Sequence, residues 1–369
     1  MIVERTIAGQ LNAEFYKGKI AIIYGARQVG KTTLVRELQK AYPDSVYLNC
    51  DEPDIAASLT GKTSTELLKI FGNSKMVFID EAQRVENIGL SLKLIADNRP
   101  DIQVVATGSS SFDLANKITE PLTGRNDKYH LHPLSTTEIT DAQGKIETAR
   151  LTDQRVIYGS YPEPFFLSKE NREKRLKELA GDYTFKDILS LGLIRKNEKI
   201  IMLLKNLALQ IGSEVSYSEI GQALGLNYDT VETYISLLEQ TFIIFRLQPY
   251  NRNQRNAIRK SRKVYFWDTG IRNALINNFN PLNLRNDSGA LFENFFIAEL
   301  LKEKSNRSEN ITPYFWRDYQ KKEVDLLIES NGRITAYECK LSGDGGIKKA
   351  GGLEAAIVTK ENYLEFLTL

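Results

Sequence analysis

Cysteine is scarce: Cys50 and Cys339 are the two in 369 residues, and they form no C-x-x-C pair. That excludes a disulfide scaffold and a thiolate zinc knuckle, and it fits a reducing compartment, so a cytoplasmic location is expected. Histidine is as rare, with His130 and His132 alone. Without a nearby carboxylate or cysteine partner they make a poor zinc site and read as strand or surface residues. No apolar run approaches the about 18 residues that a membrane-spanning helix needs, so no membrane partner is expected. The opening Met1-Ile2-Val3-Glu4-Arg5 carries an acid early and lacks an apolar stretch, so a secretory signal is not expected. An excess of one charge is missing too. Lys and Arg number 49 against 47 Asp and Glu, a formal net charge of +2. Nothing global announces a nucleic-acid partner, which has to be sought in local clusters.

What is present is ordinary globular composition, 42% apolar and 26% charged. At roughly 150 residues per domain the length suggests two or three domains. From residue 20 to about 135 short apolar runs alternate with longer segments. Ile20–Tyr24, Val46–Asn49, Met76–Ile79 and Ile102–Ala106 read as strands covered on both faces, and the segments between them are long enough for crossover helices. The fold expected for residues 1–140 is α/β, a three-layer parallel sheet. Residues 141–250 read as mainly helical, closing on a strand-like run at 242–247. Residues 251–369 open on a polar, basic stretch, followed by a helix near 289–303 and strands at 313–317, 323–329 and 333–339.

Gly25-Ala26-Arg27-Gln28-Val29-Gly30-Lys31-Thr32 fits G-x-x-x-x-G-K-[ST], with an apolar strand before it and a helical run from Thr33 after it. Glycines let the backbone curl so that N–H groups and the helix N-terminus face a β-phosphate. Gly25 through Thr33 are therefore the expected ATP-binding residues. Lys31 is a point charge for the β- and γ-phosphates, and Thr32 offers a hydroxyl to Mg²⁺. Met76–Ile79 ends in Asp80-Glu81, which casts Asp80 as the Mg²⁺ holder through water and Glu81 as the residue that orients or deprotonates the attacking water. A further strand ends in Thr107-Gly108-Ser109. The Ser109 hydroxyl reads either as a sensor of the γ-phosphate or as a helix N-cap. Arg125 reads either as a surface arginine or as a finger to the γ-phosphate of a neighbouring subunit in a homo-oligomer.

These elements, with Asp80-Glu81-Ala82-Gln83, Leu122-Thr123-Gly124-Arg125, Tyr158-Gly159-Ser160-Tyr161-Pro162-Glu163, Lys263–Gly270, Leu291-Phe292-Glu293-Asn294, Glu323-Val324-Asp325 and Glu338-Cys339-Lys340, resemble the AAA-type ATPases that carry a C-terminal DUF4143 region. The resemblance spans nearly the whole chain. It implies an ATP-binding core, a winged-helix-like middle and an α+β, restriction-endonuclease-like end. After Lys340 the chain departs from that pattern. A Gly-rich stretch, Gly343 to Gly352, stands where a fuller helix is expected.

In the middle region Ser216-Tyr217-Ser218-Glu219 fits a capping box, Gly225 stops the helix it opens, and Asn227 caps a second helix. The outer face of that second helix carries Asp229, Glu232 and Glu239, which repel phosphates, so packing or subunit contact is favoured there over base readout. Arg252, Arg255, Arg259, Lys260, Arg262 and Lys263 read either as a track for DNA phosphates or as a solvated loop. Towards the end, Asp325 and Glu338-x-Lys340 on a strand pair turning at Asn331-Gly332 resemble the PD-(D/E)xK nuclease arrangement. That resemblance implies Mg²⁺ on Asp325 and Glu338, Glu293 as an added acid, and Lys340 beside the nucleophilic water. A structural salt bridge of Lys340 is the competing reading. Tyr314, Phe315 and Trp316 read as core. The sequence thus supports an Mg²⁺-dependent ATPase first, a nucleotide-gated protein- or DNA-binding module second, and an ATP-gated metal-dependent nuclease third.

Overall fold

The computed structural model describes residues 3–108, 122–182, 197–250 and 262–367. The chain divides into two compact units, residues 4–132 and a second made of Val3 with the residues from Pro133 onward.

In the first unit five strands form one parallel sheet: β1 (Ile20–Tyr24), β2 (Val46–Asn49), β3 (Met76–Asp80), β4 (Gln103–Gly108) and β5 (Asn126–His130), in the order β2-β3-β4-β1-β5. Every residue of β1, β3 and β4 is buried, as continuous apolar strands in a sheet covered on both faces require. The helix Lys31–Ala41 follows β1 and turns Leu34, Val35 and Leu38 inward. Parallel strands place all their carboxyl ends on one edge, where α/β sheets bind ligands. The P-loop, Asp80 and Thr107 therefore share that edge.

The second unit is built around an eight-stranded mixed sheet of order β12-β13-β11-β10-β9-β7-β8-β6. Its strands are β6 (Glu214–Val215), β7 (Ile244–Pro249), β8 (Arg262–Phe266), β9 (Thr312–Arg317), β10 (Glu323–Ser330), β11 (Arg333–Cys339), β12 (Gly346–Ala350) and β13 (Leu353–Val358). Strand β7 pairs with β8 on one side and β9 on the other, so one sheet runs through the boundary expected at residue 250. Residues 133–140 likewise group with this unit. The 19-residue helix Ser288–Asn306 is buried almost all round, which explains why its sequence shows no apolar stripe. Phe315 is fully buried, with Tyr314 and Trp316 packed on the neighbouring core.

The Gly-rich stretch after Lys340 is not an eroded helix. It forms β12, antiparallel to β13. In the middle region Ser216 caps the helix Tyr217–Leu224 through the Glu219 N–H, and Asn227 caps Tyr228–Gln240 through the Thr230 N–H at 2.7 Å. Gly225 takes a left-handed φ of 64° between them, the conformation glycine adopts without strain. Two of the three acids on the second helix are matched: Glu232 pairs with Arg262 at 3.0 Å and Glu239 with Arg246.

Two conspicuous motifs of this unit meet in one clasp. Asp268 accepts the Ser160 N–H at 2.7 Å and the Ile271 N–H at 3.1 Å. A Cβ on Gly159 would lie 2.0 Å from the Asp268 carboxylate, and one on Gly270 would lie 2.1 Å from the Tyr158 carbonyl oxygen. Both glycines are set by close approach rather than by chemistry.

Candidate nucleotide site and C-terminal carboxylate cluster

The P-loop follows from two backbone demands. A Cβ on Gly25 would sit 2.3 Å from the Leu131 carbonyl oxygen, because the segment after β5 runs against the turn. Gly30 takes φ 100°, and Gln28 also lies in the left-handed region at 59°. Lys31 is 4% exposed, and its ammonium donates to the Gly25 and Ala26 carbonyls at 2.9 Å each. Thr32 and Thr33 are exposed at the start of the helix. Arg5, buried, braces the turn from outside by donating to the Val29 carbonyl at 2.8 Å and the His132 carbonyl at 2.5 Å. The His130 and His132 rings pack against each other at a tilt of 49°, with centroids 3.8 Å apart. Burial and the nearby Lys31 ammonium push the His130 imidazole down to about 3, so it is neutral at ordinary pH.

At the end of β3 Asp80 is 1% exposed and held from both sides. The Tyr47 hydroxyl donates to Oδ2 at 2.7 Å, and the Thr107 hydroxyl donates to Oδ1 at 2.5 Å. The Arg36 guanidinium lies 3.4 Å from the Tyr47 ring centroid. Thr107 also accepts the Glu81 N–H at 3.0 Å, tying the two strand ends together. Glu81 has a positive φ of 54°, a strained conformation for a non-glycine residue and one that clusters at functional sites. Its carboxylate accepts from the Gln83 side-chain amide. Beside this group burial, with the nearby Asp80, Asp51 and Glu81 carboxylates, raises the Cys50 thiol to about 12, which keeps it unreactive. These donors fit a triphosphate with Mg²⁺: a helix N-terminus and an ammonium for phosphate, then a hydroxyl and a fixed carboxylate for the metal.

Arg125 stands elsewhere. Its carbonyl accepts the Ile20 N–H at the amino-terminal edge of the sheet, and its guanidinium pairs with Asp97 at 2.5 Å. The P-loop lies at the opposite edge, a five-residue strand away, which is about 16 Å. Arg125 cannot serve its own chain's nucleotide from there. Ser109 lies outside the described residues. No motif marks Tyr47 or Arg5 for this site, whereas Thr107 is legible as a hydroxyl at the end of a buried strand.

In the second unit the hairpin turn at Asn331-Gly332 has φ of 50° and 75°. It pairs Ser330 with Arg333 and Leu326 with Tyr337, so Asp325 falls opposite Glu338. The structure does bring Glu293, Asp325 and Glu338 together, but with lysines among them. Lys263, 1% exposed, lies 3.2 Å from Glu293 Oε1 and 4.0 Å from Asp325 Oδ1, and pairs directly with Glu323. Tyr265 donates to Glu293 Oε1 at 2.5 Å, and the Cys339 N–H donates to Asp325 Oδ2 at 2.8 Å. Glu338 Oε1 is shared by Lys340 at 2.9 Å and Lys348 at 2.6 Å. Among the described residues no three His, Cys, Asp or Glu side chains are grouped to hold a metal ion. Of the basic run, Arg262 and Lys263 are committed to ion pairs, and residues 251–261 lie outside the described residues.

Three family models match the chain. Residues 17–140 match the model of an AAA domain, 149–282 that of a domain of unknown function (DUF8612), and 288–363 that of a domain of unknown function (DUF4143). An uncharacterized protein of Mycobacterium tuberculosis is 26% identical over 359 residues, covering 95% of this chain and 76% of its own length. One of Methanocaldococcus jannaschii is 26% identical over 358 residues, covering 91% and 78%. The solved Walker-type ATPase of Pyrococcus abyssi shares the fold at 16% identity and a TM-score of 0.51, over 74% of this chain and 96% of that one. Among the described residues no helix is long and apolar enough to cross a membrane. On its motifs, its sheet and these matches, the chain carries an AAA domain of the P-loop type at residues 17–140 and a DUF4143 domain at residues 288–363.

Proposed function

We propose that the chain is an Mg²⁺-dependent ATPase. The observation that carries this reading is the convergence of Lys31, Asp80 with its two hydroxyl donors, and Glu81 on one sheet edge. Gly25 to Thr33 hold the phosphates, with Lys31 swinging from the Gly25 and Ala26 carbonyls to the β- and γ-phosphates. Thr32 and Asp80 would hold Mg²⁺, which would supply positive charge to offset that developing on the transferred phosphoryl group. Glu81 orients and deprotonates the attacking water. Nucleotide binding and phosphate release, measured on three proteins, test this. Wild type should turn over ATP. Lys31→Ala should lose binding and turnover together. Glu81→Gln should keep binding while turnover drops about 10²-fold or more. Hydrolysis by Lys31→Ala at the wild-type rate would defeat the reading.

One observation favours a second reading, a nucleotide-gated module with slow turnover: the Glu81 carboxylate is already taken by Gln83. Release of that bond would then precede each turnover, and Gln83→Ala should hydrolyse ATP severalfold faster than wild type. An unchanged rate removes the reading. DNA contact through 252–263 rests on Arg252, Arg255, Arg259 and Lys260, since Arg262 and Lys263 are paired. Neutralising those four should flatten the salt dependence of DNA binding.

A further inference from the structure

The carboxylates of the second unit are arranged as a metal site in sequence, yet the structure fills the arrangement from within. We propose that Lys263 is the resident cation of this cluster and stands where a divalent metal would have to sit. The second unit then holds Glu293, Glu323 and Asp325 without a metal and is not a metal-dependent nuclease.

Geometry carries the argument. A Mg²⁺ ion takes oxygens at about 2.0–2.1 Å and demands a near-octahedral shell. The Lys263 ammonium occupies the space between the same oxygens, 3.2 Å from Glu293 and 4.0 Å from Asp325, and in contact with Glu323. It cannot readily leave. Its backbone is fixed in β8 between Glu214 of β6 and Leu247 of β7, and its ammonium also lies 5.6 Å from the Phe315 ring centroid. A side chain that is 1% exposed and stripped of its carboxylates would be a buried, uncompensated charge, among the costliest defects a fold can carry.

Glu338 is paired on one oxygen only: its Oε1 takes two lysines, while its buried Oε2 has no hydrogen-bond partner among the described residues. Lys340, which the nuclease arrangement would place beside a water, pairs with Glu338, and Lys348 arrives from β12 to share the same oxygen. Three lysines, with Arg317 3.8 Å from Glu323, thus face the four carboxylates from within the chain.

The test counts Mn²⁺ bound by the full chain without nucleotide, from the electron paramagnetic resonance of the free ion, alongside thermal midpoints. Wild type and Glu293→Gln/Asp325→Asn should bind the same number of Mn²⁺ ions. Lys263→Met should gain one site at least tenfold tighter than any in wild type, and Mn²⁺ should restore its lowered thermal midpoint. A wild type that binds one ion more than the double variant overturns the proposal, as does a folded Lys263→Met that gains no site. If Lys263→Met does not fold, the wild-type comparison decides alone. Plasmid cleavage in Mg²⁺ or Mn²⁺ that disappears in Glu338→Ala would also overturn it. None of these readouts involves ATP, so their failure leaves the ATPase reading standing, and the reverse.

Discussion

A Cβ on Gly25 would come within 2.3 Å of the Leu131 carbonyl oxygen, far inside van der Waals contact, and the obstacle is backbone. Gly25→Ala should therefore cost about 1–3 kcal/mol in unfolding stability and lower nucleotide affinity, because the turn must open to accommodate the methyl group. Denaturant titration and nucleotide binding on the same sample check both effects. Tyr47 is the residue least expected at such a site. Its hydroxyl is one of two donors that fix Asp80. Tyr47→Phe should raise the Mg²⁺ concentration for half-maximal turnover about 5- to 30-fold and leave metal-free nucleotide binding unchanged. His130 gives a pH signature. Its folded value of about 3 lies below the ordinary 6.5, so the unfolded chain takes up the proton first. The stabilisation is complete above about pH 6.5 and is lost as pH falls towards 3. Between pH 6.5 and 5 the loss should be about 2 kcal/mol, and His130→Phe should flatten that limb.

Among the elements, the P-loop depends on a residue outside it. Arg5 precedes the helix Thr6–Glu14 and places its guanidinium on carbonyls of the turn and of the segment after β5. Arg5→Met leaves both carbonyls without that donor. It should cost about 2–4 kcal/mol by denaturant melt and weaken nucleotide binding in parallel. If binding is unchanged after such a loss of stability, Arg5 holds the fold but not the turn. Strand β12 makes a related point in the second unit. A stretch too rich in glycine to read as any element forms a hairpin strand and delivers Lys348 to Glu338.

The chain as a whole pairs a complete P-loop edge with an arginine on the wrong edge to serve it. Because Arg125 opens β5 at the amino-terminal side of the sheet, any action on a γ-phosphate has to be on a second copy. If it acts there, mixing Lys31→Ala with Arg125→Ala protein should restore part of the turnover that each lacks alone. Mixtures no more active than the sum of their parts, with Arg125→Ala as active as wild type, would make Arg125 a surface residue paired with Asp97.

The phosphate turn, the Asp80-Glu81 strand end, most strands of the first sheet and half of those of the second were legible in the sequence. They rest on local rules: an apolar run ending in a fixed glycine spacing, and the alternation or continuity of apolar residues. The Asn331-Gly332 turn even set the register that opposes Asp325 to Glu338. What those carboxylates face was not legible. Lys263 precedes Asp325 by two α-helices and a strand, and Lys348 follows Glu338 in a stretch with no pattern. A counter-ion brought in by strand pairing leaves no mark at either position in the chain. Tertiary structure alone decided it, as it decided which edge of the sheet carries Arg125 and which hydroxyls hold Asp80, because charge and hydrogen bonding act over distance in space and not along the sequence.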